Sequence, residues 1–287
     1  MKKLAKVTGF VLAAACVMGM SACGEKPAIG AEYTKATSQL DALMKLDKGE
    51  ADIAIIDWVM AGYYTTTGEY ASKMTMLESL DLPVEEYGIA AKKGNEALMS
   101  KINKALIAIR AEEYATLTAE YGLTSSIALT ETTTNPYENA TDSSWTDLVE
   151  RAGGKIVIGY TIFAPIAFNE GGELTGFDIE LAEAVIEKLN ETYGCNLEAD
   201  FQLIDWNTKE AKLEDGTIDL VWNGMTITQE RAAGMCISVP YLYNKQVAVV
   251  MNEDATKYLT VESMANAIMT AEGGSAGETV IMKGVTQ

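Results

Sequence analysis

One eight-residue pattern occurs twice, and it limits the folds open to this chain. Leu46-Asp47-Lys48-Gly49-Glu50-Ala51-Asp52-Ile53 is echoed far downstream by Leu213-Glu214-Asp215-Gly216-Thr217-Ile218-Asp219-Leu220. Each copy reads as a helix end, a glycine turn, a small or apolar residue, an aspartate and then a buried strand. Two copies so far apart call for two similarly built α/β units rather than a solenoid, which needs a short period. At 287 residues and 48% apolar content the chain can supply two modest cores.

The periodicity between the copies fits this reading. Residues 33–46 open as a helix, with Leu40, Leu43, Met44 and Leu46 on one face, and Ala51 to Ile56 is an apolar run ending at Asp57. A helix starts at 58–64. Glu86 to Ala91 is a strand, and Asn95 caps a helix striped by Leu98, Ile102, Ala105, Leu106 and Ile109. A second helix over 111–121 ends at Gly122. Periodicity then disappears over 126–149, a Thr/Ser/Asn-rich stretch carrying Pro136, which reads as a linker. Beyond it come a strand at Lys155–Tyr160, a helix over Gly176–Leu189, and strands at Leu197–Ile204 and Gln246–Met251. The alternation predicts α/β units with mostly parallel sheets.

The second copy leads into Gly216 to Arg231. Ile218 to Trp222 reads as a buried strand, broken by Asn223-Gly224, and Met225 to Thr228 leads into a helical turn bearing Arg231. Backbone N–H groups past a strand end, the Thr226 hydroxyl and a guanidinium fork suit a carboxylate. The same residues also allow a plain turn with Arg231 in a surface ion pair.

The first residues read as an address. Lys2, Lys3 and Lys6 precede an apolar stretch from Val7 to Met20, too short to span a bilayer, and Met20-Ser21-Ala22-Cys23-Gly24 resembles a lipobox. Cys23 would then carry lipid, although Met stands where a lipobox usually has Leu; simple cleavage of a signal peptide is the other option. Losing three of 22 basic residues, against 41 acidic ones, changes the formal charge from −19 to −22. Such a chain offers no basic face to nucleic acid. Cys195 and Cys236 stay in the mature chain, and the sequence leaves open whether they pair.

Four segments carry a family resemblance. Residues 223–231, Asn-Gly-Met-Thr-Ile-Thr-Gln-Glu-Arg, with 204–220 before them and 238–251 after, resemble the extracytoplasmic amino-acid-binding proteins of ABC importers (family 3 solute-binding proteins). So does 155–189. The resemblance implies a two-lobed periplasmic-binding-protein-like fold of type II. Its order here is that of a circular permutant. After the signal and lipobox (1–23), residues 30–86 match the first part of lobe two and 87–125 the first part of lobe one. The linker 126–149 follows, then the second part of lobe one (150–251) and of lobe two (252–287). The hinges fall near Met251-Asn252 and Glu86-Tyr87.

The resemblance also implies a ligand site. Arg231 grips the ligand carboxylate, with Thr226 and the Ser275–Ala276 backbone donating further bonds. Gly224 leaves a carbonyl near the ammonium, and Asp57 takes the ammonium itself, although capping the helix at Trp58 is an alternative role. Phe163 and Trp206 match the aromatic pair around the ligand side chain, although core packing claims most aromatics. Tyr160 stands where some relatives carry an acidic reader, which argues mildly against a cationic ligand. The expected protein is an extracytoplasmic monomer, lipid-anchored, partnered by a free amino acid and an ABC permease, with no cofactor and no metal.

Gly273-Gly274-Ser275-Ala276-Gly277 fits the G-x-S-x-G elbow, but the chain contains no histidine, which excludes a Ser-His-Asp triad. No phosphate-binding glycine loop follows a strand. A carboxylate-based lyase on the same fold and a sensory module acting through a partner remain as alternatives to the importer reading.

Overall fold

The computed structural model describes residues 26–66, 68–77, 82–151 and 153–284. The signal and lipobox reading, with Cys23, lies outside these residues. The described chain forms two main sheets. One has the strand order Glu32–Ala36, Ile268–Glu272, Ile53–Asp57, Gln246–Met251 and Met74–Leu77. The other runs Met235–Ile237, Glu85–Lys92, Leu220–Thr226, Lys155–Tyr160 and Glu198–Leu203, with Leu242–Asn244 also paired to Glu85–Lys92. These are the two lobes, and each echo copy delivers a strand to a different one: Ile53–Asp57 to lobe two and Leu220–Thr226 to lobe one.

Both sheets are mixed where the alternation predicts mostly parallel pairing. Within lobe two, Ile268–Glu272 runs parallel to Glu32–Ala36 and to Ile53–Asp57. Gln246–Met251 runs antiparallel to both of its neighbours. The cause is the crossing itself: a strand that enters directly from the other lobe has no helix to return it to the parallel direction.

That crossing corrects one boundary. Gln246–Met251 belongs to lobe two, so the chain leaves lobe one at Lys245 rather than near Met251-Asn252. Its apolar run suits a buried strand in either sheet, and periodicity says nothing about which. The return crossing precedes Glu85, because Glu85 and Glu86 already pair with Asn244 and Tyr243 in lobe one.

Two helix expectations also change. Residues 32–36 form an edge strand before the helix Gln39–Asp47 begins. Ser38 sets the start by accepting the backbone N–H of Asp41 at 3.0 Å. At the helix Glu96–Ile109, Asn95 stands at the N-cap position without a side-chain bond. Asp142 accepts the N–H of Ala97 at 2.7 Å, and Ser144 Oγ accepts that of Leu98 at 3.0 Å.

Those caps come from the stretch expected to be an aperiodic linker. Residues 126–149 are instead packed along lobe one. Ile127 bridges to Leu242, and Leu129 is buried. Asn135 donates to the carbonyl and hydroxyl of Ser100 and accepts from Asn103 and Tyr137. A helix, Ser144–Glu150, closes the segment. Polar side chains hold it by specific bonds, which hydrophobic periodicity does not register.

The core of lobe one is aromatic. Phe177 stacks on Tyr241 at 6.4 Å, and Trp222 and Tyr87 pack against the same tyrosine. Cys195 and Cys236 are free thiols. Among the described residues no helix is long and apolar enough to cross a membrane.

Candidate ligand-binding site

The strand Leu220–Thr226 does not break at Asn223-Gly224 but continues through it. Gly224 takes φ +58°, and opposite it the register with Glu85–Lys92 shifts between Gly88 and Ala90. The bulge turns residues 223 and 224 toward the other lobe. Asp178 fixes the turn from beneath: its Oδ2 accepts the Gly224 N–H at 2.7 Å and the Tyr241 hydroxyl at 2.7 Å. Thr228 then caps the helix Gln229–Gly234 and sets Arg231 at the mouth of the interlobe cleft.

A cavity of ≈ 10 Å³ lies between the lobes. Arg231, Thr226, Gly224, Phe163 and Trp206 line it from lobe one, and Asp57, Ser275 and Ala276 from lobe two. Eight of the nine expected ligand residues therefore meet in one place. Tyr160 does not join them: it ends its strand with its ring edge-on to Phe201 at 6.4 Å. Gln39, Thr161, Asn223 and Glu272 complete the lining and were missed. A charged residue closing the apolar run Ile268–Ala271 was the one signal that could have found Glu272.

Asp57 is the hub. Its carboxylate takes hydrogen bonds from Tyr87 at 2.8 Å, Gln246 at 2.9 Å, Gln39 and Asn244. Tyr87 and Asn244 belong to lobe one, and Gln39 and Gln246 to lobe two. The first two N–H groups of the helix that follows bond elsewhere, Trp58 to the Lys245 carbonyl and Val59 to Asn244 Oδ1, rather than to Asp57. Neutral donors surround Asp57, and among the described residues no cation is bonded to it.

Arg231 spans the cleft. Its guanidinium donates to the Thr226 carbonyl at 2.7 Å and, across the lobes, to the Gly274 carbonyl at 2.9 Å. Lys209 also reaches the Gly274 carbonyl, at 3.1 Å. The Thr226 hydroxyl donates to Glu85, and the Ser275 hydroxyl caps its own helix by accepting from Glu278. An open groove of ≈ 1140 Å³ shares Arg231 and Ala276 with the cavity and gives a route to it. The cavity itself holds about one water at most, so nothing as large as an amino acid fits in it unless the lobes part.

Burial dominates the electrostatics. It pushes the Asp57 carboxyl up to about 7, and the charge of Glu85 adds to the effect. Burial, with the charge of Asp57 behind it, takes Glu272 to about 8, and burial alone takes Asp178 to about 7. Each folded value exceeds its unfolded one, so the folded chain holds more protons between about pH 4 and pH 8. Stability from these groups is full below that window and is lost as pH rises through it. Carboxylates held low, such as Asp142 and Asp215, act only below the window. The ligand-free protein should therefore melt at a higher temperature near about pH 5.5 than near about pH 8. A melting temperature that rises over this interval would contradict the assignment of these buried acids.

Part of this chain is similar to known proteins. Residues 156–283 match the bacterial extracellular solute-binding proteins, family 3. The probable amino-acid-binding protein YxeM of Bacillus subtilis (strain 168) is 30% identical over 111 residues, 39% of each chain. The arginine-binding extracellular protein ArtP of the same organism is 31% identical over 102 residues, 35% of this chain and 37% of ArtP. A substrate-binding protein of an ABC uptake transporter from Streptococcus pneumoniae, solved with bound histidine, is 39% identical over 32% of this chain and 35% of its own, with a TM-score of 0.28. The chain thus matches about two fifths of the length of YxeM and of ArtP. The segment that is similar to this family holds Phe163, Trp206, Gly224, Thr226, Arg231, Ser275 and Ala276.

Proposed function

We propose that this protein binds a free amino acid between its lobes and hands it to an ABC permease. The observation that carries the reading is the pairing of Arg231 on one lobe with Asp57 on the other around a single cavity. A zwitterion needs a fork for its carboxylate and an acceptor for its ammonium. In the bound state the ligand carboxylate displaces the Gly274 carbonyl from Arg231, and the ammonium gives Asp57 the cation it lacks. A ligand that touches both lobes favours their closure through its differential contacts. The expected address is extracytoplasmic, with Cys23 as the lipid anchor. Its test is Cys23→Ala, which should release the protein to the medium; retention at the membrane counts against the anchor.

A thermal-shift screen of the chain from residue 24 onward against all common amino acids tests binding. A ligand at a hundred times its Kd adds about 2.7 kcal/mol to stability and raises the melting temperature. If no amino acid shifts the transition, the proposal fails.

The permuted order is part of the same reading. Ala28 donates its N–H to the Ile281 carbonyl at 2.9 Å, and a Cβ placed on Gly284 would stand 3.7 Å from that of Ala28. The two segments of lobe two are neighbours there, so a short Gly/Ser joint between 284 and 28 fits. Cutting within the exposed turn at 130–133 keeps Asp142 and Ser144 with the helix they cap. The reordered chain should bind the same ligand. An insoluble or inert product, where the native order binds, would overturn the permutation.

A further inference from the structure

Glu272 ends the strand Ile268–Glu272, in register with Ala36 of the neighbouring strand. It is 3% exposed and lines the cavity beside Phe163, Trp206 and Asn223. Among the described residues, its buried Oε1 has no hydrogen-bond partner, and neither has the buried Asn223 Oδ1. Asn223 spends its amide N–H on Thr161, at 2.9 Å. Buried acceptors are nearly always satisfied, because leaving one unpaired is costly. Two on the walls of one cavity call for donors supplied by its occupant.

The charges facing Glu272 are Asp57 and Asp205, which repel it, and Lys209 and Arg231, which attract it. Both cations are engaged elsewhere. Lys209 Nζ donates to the carbonyls of Trp206 and Gly274 and pairs with Glu210 at 3.1 Å. Arg231 holds the carbonyls of Thr226 and Gly274 and, on the proposed reading, the ligand carboxylate. The α-ammonium goes to Asp57. Glu272 is therefore left for the ligand side chain, next to two aromatic rings whose faces attract cations.

We propose that Glu272 is the specificity-determining residue of this site and selects an amino acid whose side chain carries a positive charge. This rests on the amino-acid-binding reading of the same cavity. It reverses the expectation drawn from Tyr160, which lies outside the cavity. An ammonium or guanidinium donates to Glu272 and Asn223, packs against Phe163 and Trp206, and offsets the second acid of the cavity. A neutral aliphatic side chain leaves both acceptors orphaned. In the ligand-free protein Glu272 stays protonated near neutral pH because burial and Asp57 push its carboxyl up to about 8.

The test is calorimetric titration of the wild type and of Glu272→Gln. The probes are L-arginine, L-lysine and L-ornithine, set against the neutral L-citrulline, L-norleucine and L-norvaline. In the wild type the tightest ligand should be cationic, by about 10- to 100-fold over its neutral counterpart. In Glu272→Gln that preference should fall to near parity, while affinity for the neutral partner is kept or improved. A neutral ligand as the tightest in the wild type overturns the proposal, as does an equal loss of both ligands in Glu272→Gln. If a neutral amino acid binds and depends on Arg231, only the role of Glu272 falls. If no amino acid binds, the amino-acid reading falls with it.

Discussion

Replacing Arg231 by alanine should lower affinity for the bound amino acid by about a hundredfold to several thousandfold. Breaking one side of a desolvated charge pair costs about 3–5 kcal/mol, and each 1.4 kcal/mol is about tenfold. The fold should survive. Among the described residues the guanidinium bonds to the Thr226 and Gly274 carbonyls, and Thr226 lines the cavity and Gly274 the open groove, where water can replace it. The burial that depresses its pKa is the same burial that strengthens its hold on an anion. Calorimetry gives the affinity, and a thermal melt of the same sample confirms the fold. Wild-type affinity in Arg231→Ala would remove the carboxylate clamp from the account.

Gly224→Ala should affect the fold as well as the site. A left-handed conformation costs a non-glycine residue about 1–2 kcal/mol. The added Cβ would stand 2.7 Å from Phe163 Cε1 and 3.0 Å from Tyr87 Cε2, and such crowding typically costs about 1–3 kcal/mol more. Unfolding in urea should therefore show about 2–5 kcal/mol of lost stability. Binding should weaken too, because Tyr87 donates to Asp57 and Phe163 lines the cavity. A variant within about 0.5 kcal/mol of wild type, the range of ordinary surface substitutions, would show that neither ring is fixed.

The elements that the sequence reveals are those with strong local signals. The repeated helix–glycine–strand pattern marks Ile53–Asp57 and Leu220–Thr226, one strand in each lobe. The motif from Asn223 to Arg231 marks the site. Signals that depend on pairing are harder to read. Gln246–Met251 is equally apolar in either sheet, so its lobe is set by the chain crossing at Lys245. The packed segment 126–149 is held by Asn135, Asp142 and Ser144, whose bonds leave no trace in a hydrophobic pattern. The support of Asp57 comes from Gln39, Tyr87, Asn244 and Gln246. These residues lie far apart in the chain and meet only because two lobes meet. Tyr160 was placed by analogy with relatives, and its ring turned instead to Phe201.

On the proposed reading, one ligand bridges two lobes that close on it. A cavity of ≈ 10 Å³ cannot admit an amino acid without opening, and the contacts proposed for the ligand divide between Arg231 and Asp57. Small-angle X-ray scattering tests this directly, on the chain from residue 24 onward, with and without the amino acid that gives the largest thermal shift. The bonds that Asp57 and Arg231 make across the cleft mark the closed arrangement, and the lobes should part in solution without ligand, so the radius of gyration should be smaller at saturating ligand. Superimposable profiles with and without ligand would contradict it.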